Sequence, residues 1–171
     1  MRKFPAVLAC VVLLSFASVS SAQSSMSSGG SEKEKIEALY KTYVKAFQNK
    51  DVSAIMSFYD PQELFVFDVS PPREYPSWDA YKKDWEALFA AMPGPMEINM
   101  SELAVTVVGP VAYTRKMQSG YFTAKDGSKT ELAVRVTDVL RKTKGKWLIV
   151  QEHVSVPVDL ATGKADLMSK P

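Results

Sequence analysis

The stretch that most constrains this chain is its last strand and the turn before it, Gly145-Lys146-Trp147-Leu148-Ile149-Val150-Gln151-Glu152-His153-Val154-Ser155-Val156-Pro157. A glycine turn feeds a long, mostly apolar strand with Trp near its start and His-x-Ser near its end. Three more strand patterns precede it. Ile98 to Val108, Val111 to Ala124 and Lys129 to Lys142 are separated by Gly109-Pro110 and Asp126-Gly127 turns. A four-strand meander must cover one face, and the helices to do so lie upstream.

Ser31-Glu32-Lys33-Glu34 reads as a capping box. Ile36, Leu39, Tyr40, Tyr43 and Phe47 follow at helical spacing, ending near Asn49. Asp51 caps a second, short helix through Ile55 and Phe58, which Asp60-Pro61 stops. Leu64 to Val69 reads as a short buried strand, and Pro71, Pro72 and Pro76 as an extended loop. Ser77 caps a third helix with Trp78, Tyr81, Trp85, Leu88 and Phe89 along one side, ended by Pro93-Gly94-Pro95. The expected fold is α+β: three N-terminal helices packed on a strongly curved antiparallel sheet, which leaves a cone-shaped cavity.

This order, with the Gly-Lys-Trp…His-x-Ser ending, resembles the SnoaL-like proteins of the nuclear transport factor 2-like superfamily, over Ser31 to Asp159. The resemblance implies a ligand cone. It also implies a choice among isomerases, dehydratases, epoxide hydrolases, binding modules and assembly domains, so the chemistry has to be argued from the site.

Four regions are expected. Residues 1–22 read as a signal peptide: basic Met1-Arg2-Lys3, an apolar run from Phe4 to Val19, then small residues up to Ala22. Residues 23–30 are a Ser/Gly-rich spacer, 31–159 the domain and 160–171 a loosely attached tail. Export to a periplasm or out of the cell follows from the signal. With Arg2 and Lys3 set aside, basic and acidic residues balance at 19 each, so nothing points to nucleic acid or an anionic membrane as partner. Cys10 is the only cysteine and His153 the only histidine. A catalytic thiol, a cysteine zinc site and a multi-histidine metal site are therefore excluded. No phosphate-cradling glycine loop is present, and no cofactor or metal is expected. A homodimer through the outer sheet face is implied by the resemblance.

The candidate site follows from strand parity. Leu132, Val134, Val136, Asp138 and Leu140 share a face, so Asp138 sits in an apolar row and needs a partner. Val111, Tyr113, Arg115 and Met117 share a face of the neighbouring strand, which offers Arg115 as that partner. Ala112-Tyr113-Thr114-Arg115 also resembles a stretch of the calmodulin-dependent kinase association domain, whose corresponding arginine faces the pocket. Asp68, at the end of an aromatic strand, is the candidate general base near the cone mouth. In the last strand, Trp147, Ile149, Gln151, His153 and Ser155 alternate with Leu148, Val150, Glu152, Val154 and Val156, and both rows are partly apolar. Either His153 or Glu152 therefore faces the cone. Tyr40, Tyr43, Trp78 and Trp85 are candidate ligand contacts, with Tyr113, Arg115 and Glu152. Such a pocket suits a small, flat apolar ligand such as a polyketide or steroid-like ring. As an enzyme, the chain would use Asp68 or Asp138 to abstract a proton next to a carbonyl, with Arg115 or Tyr113 stabilising the oxyanion.

Overall fold

The computed structural model describes residues 31–168. The expected signal peptide and spacer lie outside the described residues. Helix α1 spans Glu32–Gln48. The Ser31 hydroxyl accepts from the Glu34 N–H at 3.2 Å, and Glu34 Oε2 accepts from the Ser31 N–H at 2.7 Å. This reciprocal pair satisfies two of the free N–H groups at the helix start. Ile36, Tyr40, Tyr43 and Phe47 form its buried stripe. Helix α2 (Val52–Met56) starts under Asp51, whose carboxylate accepts from the Ala54 N–H at 2.9 Å. Helix α3 (Trp78–Ala91) starts under Ser77 and buries Tyr81 and Trp85.

The sheet comprises β1 (Phe65–Phe67), β2 (Glu97–Val108), β3 (Val111–Thr123), β4 (Lys129–Thr143) and β5 (Lys146–Ser155), in the order β1-β5-β4-β3-β2. Four strands run antiparallel, as the meander requires. β1 is shorter than the sequence suggests and pairs parallel to β5, with Phe67 beside His153. That places the end of β1, and Asp68 after it, against the middle of the last strand.

Two bulges bend the sheet. Between Ser101 and Ala104 β2 has one residue more than β3, and Glu102 there takes φ of 54°. In β5, Ile149 pairs with Leu140 and Gln151 with Val139, leaving Val150 as the extra residue. The second bulge resolves the parity question in an unforeseen way. Trp147 and Ile149 point inward before it, and Glu152 points inward after it. One strand thus supplies buried residues from both of its alternating rows, because the bulge exchanges its faces.

Residues beyond Ser155 are mostly exposed and make a few backbone hydrogen bonds. The Asp166 N–H donates to the Pro157 carbonyl at 2.9 Å and the Ala133 N–H of β4 to the Leu167 carbonyl at 2.7 Å. No helix among the described residues is long and apolar enough to cross a membrane.

Candidate functional site

Between α3 and the concave face of β2–β4 lies a half-open cavity of about 570 Å³. Phe47, Trp85, Leu88, Phe122, Leu132, Val134 and Val154 supply apolar wall, and Asp68, Tyr81, Asp84 and Gln118 supply polar groups. Gly120 sits at the cavity's edge where two strands come unusually close. A Cβ there would lie 2.0 Å from the Glu97 carbonyl oxygen, so only glycine lets β2 and β3 approach this closely beside the cavity.

A chain of hydroxyl and carboxyl groups runs from the cavity wall into the core. Asp68 Oδ1 faces the Val69 N–H, and its Oδ2 lies 3.2 Å from the Tyr81 hydroxyl. The same Tyr81 hydroxyl lies 2.8 Å from Glu152 Oε1. The Tyr59 hydroxyl donates to Glu152 at 3.1 Å, and Tyr43 lies 3.0 Å from Tyr59. Burial is the largest influence on Glu152. With Asp138 nearby it outweighs Lys116 and the Tyr81 hydroxyl and pushes the carboxyl up to about 8. Burial likewise raises Asp68, against the Val69, Ser70 and Tyr81 donors. It also holds the Tyr43, Tyr59 and Tyr81 hydroxyls well above their ordinary value. Tyr81 has one proton and two carboxyl neighbours, so it donates to one at a time. With Glu152 neutral, the Glu152 O–H can face the Tyr81 oxygen and free the Tyr81 proton for Asp68.

Deeper in the sheet, Lys116 forms an ion pair with Asp138 Oδ2, which also accepts from the Tyr40 hydroxyl. The Lys116 ammonium sits 4.5 Å from the centre of the Tyr40 ring. Thr114 lies 2.9 Å from the Tyr40 hydroxyl. Lys116 and Asp138 are 3% and 0% exposed. A carboxylate so placed is tolerated only because a cation and hydroxyls meet it.

Of the expected site residues, Asp68 and Trp85 line the cavity. Asp138 and Glu152 are buried behind its wall, and neither touches the cavity. Tyr40 and Tyr43 are core hydroxyls bonded to Thr114, Asp138 and Tyr59, and Trp78 donates its indole N–H to the Met56 carbonyl. The Arg115 expectation is corrected. The buried row of β3 is Ala112, Thr114, Lys116 and Gln118, so Arg115 and Tyr113 point to the outer face, with Tyr113 53% exposed. Lys116 takes the role assigned to Arg115. His153 is exposed too, its ring 5.6 Å from that of Phe67 on the outer face. Lys116, Tyr59, Asp84 and Gln118 were missed. The available signal was that a buried Asp138 needs a cation from a neighbouring strand, and Lys116 is one of two candidates there.

No curated protein matches the chain. Solved structures do. An NTF2-like protein of unknown function from Pseudomonas putida is 26% identical, with a TM-score of 0.73 over 84% of this chain and 100% of that one. A ketosteroid isomerase-like protein from Erwinia carotovora is 23% identical, with a TM-score of 0.63 over 74% of this chain and 96% of that one. A candidate scytalone dehydratase from Novosphingobium aromaticivorans is 18% identical, with a TM-score of 0.65 over 72% and 82%. The last two establish likeness of fold alone. The sequence profile of the SnoaL-like domain matches residues 36–159, which takes in the buried acids and, apart from Leu167, the cavity wall. On that match and this architecture, the chain belongs to the SnoaL-like domain family of the NTF2-like superfamily.

Proposed function

We propose that the chain binds a small, predominantly apolar molecule in the cavity between α3 and the sheet. The observation that carries this is the cavity's make-up: about 570 Å³, aromatic and aliphatic over most of its wall, with polar groups gathered around Asp68, Tyr81, Asp84 and Gln118. That size and lining suit a molecule of two or three fused rings, held by apolar burial and oriented by a few polar contacts. Calorimetric titration with 2-naphthol tests it. Saturable binding to the parent chain, abolished by filling the cavity with Leu132→Trp in a variant that still melts cooperatively, is the expected result. Equal binding by the filled variant would refute the reading. Export of the chain belongs to the same proposal and rests on the pattern of residues 1–22.

A second reading, catalytic proton transfer, is favoured by one observation. Asp68 presents a carboxyl at the cavity wall, raised by burial, with the Tyr81 hydroxyl at 3.2 Å. A carboxylate so placed can accept a proton from a carbon next to a bound carbonyl, and Tyr81 can then hydrogen-bond whichever form Asp68 takes. Deuterium exchange from solvent into 2-tetralone should be accelerated by the parent chain and fall by about a hundredfold or more in Asp68→Asn. Unchanged exchange in that variant would leave binding as the function.

A further inference from the structure

The charge of the cavity wall narrows the ligand beyond its apolar character. Two carboxylates on the wall face it, Asp68 and Asp84, and none of its residues is Lys, Arg or His; Glu97 borders it from β2, with its carboxylate turned to Asn99 on the exposed face. The nearest buried cation, Lys116, is held by Asp138 and does not line the cavity. Asp68 and Asp84 repel each other across the wall, and Asp84 adds to the rise of the Asp68 carboxyl. Beside them stand the rings of Tyr81 and Trp85, whose centroids are 5.6 Å apart. Aromatic faces next to carboxylates attract a cation twice over, through the ring quadrupole and through the charge.

We infer that the cavity selects a hydrophobic amine in its protonated form and rejects apolar acids. The inference rests on the binding function proposed above. The ammonium would sit between Asp68 and Asp84, near the Tyr81 and Trp85 rings. The ring system would lie against Phe47, Leu88 and Phe122. A carboxylate or phosphate of the same shape would meet two like charges with no counter-ion.

The test is a matched series on one skeleton, 2-naphthylmethylamine, 2-naphthalenemethanol and 2-naphthoate, titrated calorimetrically into the full mature chain near neutral pH. The amine should bind about tenfold or more tightly than the alcohol, the difference one well-placed charge contact makes. The acid should bind most weakly. Added salt should weaken the amine and leave the alcohol unchanged. Asp84→Asn should shrink the amine-to-alcohol ratio to less than about threefold. The salt series on the parent chain decides the same point should that variant fail to fold. Equal binding of amine and alcohol, or tighter binding of the acid, would overturn the inference and leave the binding site standing. Failure of all three compounds would overturn both.

Discussion

Replacing Glu152 by Gln should flatten the chain's dependence of stability on pH, and the size of the change follows from the geometry. Glu152 is 3% exposed and close to Asp138, with its carboxyl pushed up from 4.5 to about 8. Between those values the native chain keeps a proton that the unfolded chain has released. Native protein therefore binds more protons than unfolded, and stability falls as pH rises through the window. Below the unfolded value both states are protonated and the residue contributes no pH dependence. Above the native value the penalty is complete, at most about 5 kcal/mol, since each pH unit within the window costs about 1.4 kcal/mol. Glutamine keeps the shape and cannot ionise. Urea melts at about pH 5.5 and about pH 7.5 should show the parent losing about 3 kcal/mol relative to Glu152→Gln across the interval. In thermal melts the same difference is roughly 6–12 °C for a domain of this size. Asp68, also raised, is present in both proteins, so the comparison reads Glu152 together with its coupling to Asp68 through Tyr81. Identical pH profiles, or a parent that gains on the variant as pH rises, would mean that Glu152 is ionised and held by Lys116, and the reasoning would be wrong.

Three other changes probe the architecture around the cavity. Lys116→Met leaves Asp138 buried without its cation and should cost about 3–5 kcal/mol in urea melts, with much of the loss restored by adding Asp138→Leu; no restoration would mean the two side chains are not a pair. Gly120→Ala places a methyl group 2.0 Å from the Glu97 carbonyl oxygen, so it should lower the melting temperature by several degrees more than an exposed Ala substitution elsewhere on β3, and parity with that control would contradict the close approach. Leu167→Ser removes an apolar side chain that lines the cavity but is 37% exposed, so it should weaken 2-naphthol binding several-fold at nearly unchanged stability; unchanged affinity would remove the tail from the site.

The order of helices and strands was legible because each element carried its own local signal. Ser31, Asp51 and Ser77 cap the helices they were expected to cap, and the turn residues bound the strands. Asp138 was legible as a buried carboxylate because it interrupts an apolar row. Its partner was not, for a physical reason. The row holding Tyr113, Arg115 and Met117 looks more apolar than the row holding Thr114, Lys116 and Gln118, yet the polar row is the buried one. Those side chains are inside because Asp138, Tyr40 and the cavity satisfy them, a fact of tertiary pairing that hydropathy does not carry. The place of Glu152 escaped parity because the bulge at Val150 exchanges the faces of β5 midway. Tyr81 was visible only as one of several aromatics on α3. Its position between two acids depends on how α3 docks against β1 and β5.

The claim on which the rest depends is that the space between α3 and the sheet is a ligand site. Methyl-detected NMR during a 2-naphthol titration addresses it directly. The account predicts saturable shifts at Ile98, Leu132, Val134 and Val154, which line the cavity, with Val108 and Val111 at the exposed hairpin unmoved. Shifts led by Val108 and Val111, or no saturable shift at the cavity methyls, would contradict it.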